Sequence, residues 1–405
     1  MRGAGQRPTP NRLRQGYGGP PKLYAKVDAQ LPSGVTVIDD VRGFTALKDE
    51  WRELLTSSSS DNPFLTWEWL HAWWAHFGRP GTLRLIVVRS GESLVAIAPL
   101  RLVVPRFRVF QRLEFLGTGE AGSDYLDLIV RRGHEADALR SIADCLRAQK
   151  LTLRLTHLPP SSLAAQLARQ LTDRGWTSSS SDDGVCPIVD LRGLTFDSFL
   201  STLGASHRAN VRRRLRAIER QFDLQFDEIT GSDERREMLG VLAAFHASRY
   251  EERGGSTAFS TPAVRAFHEA ATKDALERGW LRMYSLRLVG RLAAVMYGFN
   301  SGSRFYFYQH GYDEQFSSLS VGLVLMALTI RAAIADGALE FDMLWGTEPY
   351  KSLWTHEARR LQRVDLFPLR LSEVFHRHAA EARRGIAQLT RRVLSPGSPG
   401  AARVT

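Results

Sequence analysis

The sequence predicts an α/β protein of two similar units in tandem, each a mixed, mostly antiparallel sheet flanked by helices. Three observations predict it. The chain of 405 residues is 43% hydrophobic and 24% charged, which allows two domains and a substantial core. Strand-like pairs joined by short polar turns alternate with amphipathic helical stretches. One pattern, strand, turn, strand, occurs in each half, as "VVRSGESLVAIAPL" and again as "SLRLVGRLAAVMYGF". The repeat sets a first unit at 34–194 and a second at 195–375. A disordered basic tail precedes them over 1–33, and a helical then disordered tail follows over 376–405.

In order, "GVTVIDD" reads as a strand, "TALKDEWRELL" as a helix, and "WEWLHAWWAHFG" as a helix carrying four tryptophans. "LRLIVVRSGESLVAIAPLRLVV" pairs two strands across Ser90–Glu92. "RLEFLG" and "YLDLIV" are strand-like pieces around "GTGEAGSD"; a helix over "EADALRSIADCLRAQ", the strand "TLRLTHLP", a helix over 161–174 and a strand near Val185–Leu191 complete the first unit. The second opens with the mainly helical "TFDSFLSTLGASHRANVRRRLRAIERQ" and the strand "DLQFDEIT". Two helices follow, the second with Pro262 suitably early. A three-strand meander from Trp280 to Asp313, a long helix over 320–336 with Gly337 as C-cap, and the buried strand "ALEFDMLWG" close the unit.

The formal charge of +11 favours polyanionic partners: nucleic acid, an anionic membrane or a phosphate-bearing cofactor. Part of the excess sits in the tails. Cysteine is limited to Cys145 and Cys186, with no metal-binding spacing, which argues against a disulfide framework or a zinc site and fits a reducing cytoplasm. No apolar run reaches the roughly 18–20 residues of a membrane span, and the N-terminus lacks a secretory signal.

The junction between the meander and the long helix is the first candidate site. "FSSLSVGL" (Phe316–Leu323) places small residues at a helix start. The first amides of a helix lack intrahelical acceptors, and aligned peptide dipoles make that end positive. Ser318, Leu319, Ser320, Val321, Gly322 and Leu323 could therefore cradle a pyrophosphate. The same residues read equally as a capped helix start with Ser318 or Ser320 as N-cap. Neither a Walker loop nor GxGxxG occurs.

This order of elements resembles the cofactor half of the GNAT acyltransferase fold. "NPFLTWEWLHAWWAHFG", "LVAIAPLRL", "RLEFLGTGEAGSDYLDLIV", "SHRANVRRRLRAIER", "YQHGYDEQFSSLSVGLVL" and "FDMLWGTEPYKSLW" are similar to stretches of its cellulose- and exopolysaccharide-biosynthesis branch, with BioF-like acyltransferase domains. That branch is related in layout to Fem-type aminoacyl transferases, which carry two GNAT units in tandem. The resemblance spans Thr36 to Arg370. It implies acetyl-CoA or another acyl-CoA as co-substrate, no metal, and direct transfer to a small-molecule or saccharide acceptor at an amine or hydroxyl. Gln309 and Lys351 join the loop as cofactor contacts. The usual loop pattern, Arg/Gln-x-x-Gly-x-Gly/Ala, is reduced here to Gly322.

Arg208, Arg212, Arg216 and Arg220 recur every fourth residue and align as one stripe on a helix, with Arg213 and Arg214 beside it. The stripe is either a solvated face or a seat for an anion: a substrate phosphate, the adenosine 3′-phosphate of CoA, or RNA. Acyl transfer needs a base for the acceptor and an acid for the leaving thiolate. Asp342 is the candidate base, Tyr350 the acid, and His310 the competing base; each reads otherwise as an ion pair, packing, or a strand-end histidine. In the first unit, Asp124 and Tyr125 of "GSDYLD" and Trp69 are candidate acceptor contacts, although core packing suits most of the tryptophans. Two rivals remain: a transferase using aminoacyl-tRNA as donor, and a non-catalytic scaffold of the same fold. No GxSxG or Cys/His nucleophile arrangement is present.

Overall fold

A computed structural model describes residues 31–104, 111–253, 259 and 261–368; the expectations for most of the basic tail and for the segment after 375 fall outside them. The first half runs β1 (Val35–Ile38), α1 (Val41–Ala46), α2 (Lys48–Thr56), α3 (Trp67–Phe77), β2 (Thr82–Ser90), β3 (Ser93–Val103), β4 (Arg112–Phe115) and β5 (Ile129–Val130). It continues with α4 (Glu135–Gln149), β6 (Thr152–Leu158), α5 (Leu163–Asp173) and β7 (Thr177–Asp190). The second half opens with α6 (Phe196–Thr202), α7 (Ala205–Gln221), β8 (Leu224–Glu228), α8 (Ser232–Arg253) and α9 (Pro262–Glu277). Then come β9 (Leu281–Leu288), β10 (Arg291–Ser301), β11 (Arg304–Tyr312), α10 (Val321–Ala335), β12 (Glu340–Asp342) and β13 (Ala358–Phe367).

Local chemistry explains most boundaries. Thr66 caps α3 by accepting the Trp69 amide, and Thr261 caps α9 ahead of Pro262. The β9–β10 turn places Val289 and Gly290 both at positive φ (51° and 72°), the geometry of a tight two-residue hairpin. Gly204 separates α6 from α7 within what reads in sequence as one helical stretch.

The described strands form one mixed sheet in the order β1-β2-β3-β4-β6-β13-β7-β12-β11-β10-β9-β8, with β5 on β3. The two halves of the chain lie side by side in it, and their strands interleave. β13, from the end of the second half, inserts between β6 and β7 of the first. β7 in turn reaches into the second, pairing Ile188–Asp190 with β12. It is also longer than sequence suggests, because the polar run Ser178–Asp182 pairs with β13. Its outer half is largely exposed, so a polar sequence suffices there. One buried cluster fills the first half's side of the sheet and the contact of α3 with α9; another packs α6, α7 and α10 on the second half's side.

Two features open this sheet. The expected long strand over 338–346 is only three residues, parallel to β11 through Tyr306↔Asp342. Beyond it the chain keeps its bonds to β7, Met343 N to Pro187 O at 2.9 Å and Gly346 N to Val185 O at 3.0 Å, but leaves β11. On the other edge of β11, pairing with β10 jumps from Tyr297↔Gln309 to Gly298↔Phe307, so Tyr308 is a bulge. Gly298 fits there because a Cβ would stand 2.1 Å from the Tyr306 carbonyl oxygen. Gly298→Ala should therefore lower the urea unfolding midpoint by an amount worth about 1–3 kcal/mol; an unchanged midpoint would show that β11 relaxes freely.

Candidate functional site

A cavity of about 800 Å³ fills the wedge between the diverging ends of β11 and β12. Phe307, Gln309 and His310 of β11 form one side, Met343, Leu344 and Trp345 the other, and the first turn of α10 closes one end. Of the residues predicted from sequence, it gathers Gln309, His310, Ser320, Val321, Gly322, Leu323, Tyr350, Lys351 and Asp124.

Before α10 the chain makes a 3₁₀ turn, Glu314–Leu319, and Ser320 adopts a left-handed conformation (φ 59°). This consumes part of the expected amide cradle. Phe316 N donates to Asp313 O, Ser320 N to Ser317 O, and Leu323 N to Ser320 O, each at 3.0 Å. Ser320 makes no side-chain cap. Val321 and Gly322 form the N-terminal, positive end of a 15-residue helix. Ser318 and Leu319 are not in the cavity lining; the Ser318 carbonyl accepts from Arg214 at 3.1 Å, and Leu319 packs on the apolar core.

Asp342, the expected base, lies away from the cavity. It is fully buried and outside the cavity lining. Its Oδ2 accepts from Tyr125 OH at 2.6 Å and from Arg359 at 3.0 Å, and its Oδ1 from Leu344 N at 2.8 Å. Burial pushes its pKa up to about 6, partly offset by the Tyr125 bond and the Arg359 charge. Tyr125 is correspondingly a buried donor to this carboxylate, its phenol held well above the usual range by burial and by Asp342. Trp69 is also core: it is 2% exposed, donates to Ser123 Oγ at 2.8 Å, and is ringed by Phe64, Phe267, Phe299 and Tyr308.

Lys351 lines the cavity as a structural tie. It is 4% exposed, and its Nζ donates to the carbonyls of Leu344 and Trp345 and pairs with Glu348 at 3.0 Å. On α7, Arg208 is spent on the Ser201 carbonyl at 3.0 Å, and Arg213 on Asn210. Arg212, Arg216 and Arg220 make no ion pair or hydrogen bond among the described residues. His207 of the same helix reaches the cavity edge-on to Trp354, its pKa lowered by burial.

The residue that sequence reading missed is His157, at the end of β6. It lines the cavity, and its Nδ1 lies 2.8 Å from Asp124 Oδ1; the other Asp124 oxygen accepts Trp345 N at 2.8 Å. "THLPP" carries no motif, and only the topology brings His157 to Asp124. Burial works against the imidazolium, but the Asp124 bond and the charges of Asp124 and Asp183 outweigh it and leave His157 above its ordinary pKa. Among the described residues no group of three or more His, Cys, Asp or Glu is placed to hold a metal, and no helix is long and apolar enough to cross a membrane.

The family described as "Acetyltransferase (GNAT) domain" matches residues 205–352, which hold α10, both sides of the wedge and the Arg stripe. Among solved structures, FemX is similar with a TM-score of 0.56 at 12% identity, covering 78% of this chain and 95% of that one. A conserved protein of unknown function from Bacteroides thetaiotaomicron gives 0.53 at 12% identity, covering 82% and 99%. L-PGS from Bacillus licheniformis gives 0.50 at 15% identity, covering 83% and 95%. At these identities the likeness establishes the fold. No curated protein sequence matches the chain.

The buried network makes its own prediction. Arg359→Met leaves an ionised Asp342 unpaired in the core, so at pH 7.5 it should cost about 3–5 kcal/mol in urea unfolding. The penalty exists only while Asp342 is charged in the folded state, so it should shrink as pH falls below about 6. A loss independent of pH would mean that Arg359 acts through packing alone.

Proposed function

We propose that the chain is an acyltransferase that binds an acyl-CoA in the wedge between β11 and β12 and passes the acyl group directly to an amine or hydroxyl acceptor. The observation that carries this reading is the N-terminus of the 15-residue helix α10, whose first residues Val321 and Gly322 line an 800 Å³ cavity. The residues present fit the group: the positive end of the helix dipole suits a pyrophosphate. Gly322 has no side chain to fill the approach, and a Cβ there would already press the Tyr312 ring at 3.3 Å. Tyr350 and His310 stand in the same lining, with ring centroids 5.7 Å apart, and Tyr350 is assigned to the leaving thiolate. Polysaccharide or envelope biosynthesis, in the cytoplasm, is the setting this reading adopts.

A thermal-shift panel of acetyl-, succinyl- and long-chain acyl-CoA tests the donor. A true ligand raises the midpoint as its concentration exceeds Kd. Gly322→Asp should abolish that shift by setting a carboxylate at the start of α10, where the pyrophosphate would rest; a retained shift would move the donor elsewhere.

One observation favours a second reading with an aminoacyl-tRNA donor. Arg212, Arg216 and Arg220 have no carboxylate partner and lie on the helix that flanks the cavity. If they hold RNA backbone, Arg212→Ala with Arg216→Ala should weaken tRNA retention and flatten its salt dependence by about two phosphate contacts. Retention unchanged by the double substitution, or absent in the parent chain, rejects that donor. Silence toward both donors would leave a scaffold.

A further inference from the structure

We propose that His157 and Asp124 form the proton-accepting pair of the transfer reaction, with His157 Nε2 taking the acceptor's proton inside the cavity. The proposal rests on the acyltransferase reading of that cavity and adds to it a base supplied by the first half of the chain. Four observations support it. Asp124 is 2% exposed and has one oxygen held by His157 Nδ1 and the other by the Trp345 amide. That arrangement fixes the imidazole ring and makes Nδ1 the protonated nitrogen, leaving Nε2 as the basic one. Nε2 has no hydrogen-bond partner among the described residues; its nearest carboxylate oxygen is Asp183 Oδ2 at 4.0 Å. His157 also adopts a left-handed backbone (φ 56°), with its N–H donating to Asp183 Oδ2 at 2.7 Å. Such a conformation in a non-glycine residue persists where the surroundings over-determine it.

The other candidate bases are less suited. Asp342 is sealed from the cavity. His207 Nε2 is buried without a hydrogen-bond partner, and no carboxylate supports its ring. His310 packs on the rings of Phe307 and Tyr350. At His157, in the lining, an imidazole and a carboxylate meet at hydrogen-bond distance.

For an amine acceptor the step balances as follows. One proton of the ammonium passes to His157 Nε2, and the freed nitrogen lone pair forms a C–N bond to the thioester carbonyl carbon. The C–S bond then breaks with its electron pair going to sulfur. A second proton leaves the nitrogen for the thiolate by way of Tyr350 or water, the third stays on the amide, and His157 returns its proton to solvent. The base works when neutral, so the rate rises with pH through the His157 pKa. Asp124 and Asp183 are the charged groups facing the ring, and both hold that pKa up.

The test uses the full chain with His157→Asn, which tolerates the left-handed backbone, and Asp124→Asn. Acetyl transfer from acetyl-CoA to glucosamine should lose about 100-fold or more in kcat in His157→Asn. KM for acetyl-CoA and its thermal shift should be unchanged. NMR titration of the His157 imidazole, assigned by its absence in His157→Asn, gives a readout that needs no turnover. Its midpoint should fall by about one pH unit or more in Asp124→Asn, with the acid limb of the rate profile moving the same way. A rate within threefold of the parent, or a midpoint indifferent to Asp124→Asn, overturns the proposal. Failure of every acyl-CoA to shift the parent protein would instead overturn the donor reading, and the imidazole titration would still decide whether the pair is coupled.

Discussion

The cavity depends on strand β12 ceasing to pair with β11 at Asp342. A three-residue strand held on both edges contributes little ladder by itself, and its end needs an anchor. Asp342 supplies one: its carboxylate collects Tyr125 from the first half, Arg359 from β13, and the Leu344 amide. With that point fixed, the chain follows β7 through Met343 and Gly346 and turns from β11 at Leu344, whose φ is 57°. Only the β11 side of the wedge therefore opens. The expense of burying a carboxylate is met by three donors, an arrangement that fixes geometry more than it adds stability.

That anchor also couples the halves. Tyr125 and Asp124 are adjacent; one reaches Asp342 and the other the Trp345 amide, three residues apart on the second half. β13 and β7 cross the same border in opposite directions. A cavity wall drawn from both halves follows directly. His157 stands on β6, α10 on the second unit, and the backbone between 342 and 346 joins them.

Hairpins, helix lengths, the meander and the α10 junction were legible in sequence because each is set by local periodicity and turn chemistry. So were nine lining residues, most of them clustered in the two segments that flank α10. What sequence concealed was long-range. Asp342 reads as a reactive acid because its neighbours are apolar, yet the same apolar setting seals it, and its partners come from 217 residues upstream and 17 downstream. Trp69 reads as a pocket wall from its i,i+4 spacing with Trp73, but α9 packs across α3 and covers that face. The insertion of β13 has no local signature, and without it neither Arg359 nor the full length of β7 can be placed. His157 stayed hidden for the same reason.

Charge then distinguishes what the cavity can attract from what it can do. Each acid around it is already matched: Glu348 by Lys351, Asp342 by Arg359, Asp124 by His157 and a backbone amide. The arginines on the outer turns of α7 are not matched, and Arg214 of that helix touches the loop before α10. Matched acids contribute little net field, whereas unmatched cations and a helix N-terminus add, so the site is biased toward an anionic donor. The bias fits CoA and RNA alike, because both offer phosphate. Removing a proton from the acceptor is a separate demand that arginines cannot meet, since guanidinium stays protonated. An acid–base group must stand in the same cavity, and the first half places an imidazole there against a fixed carboxylate.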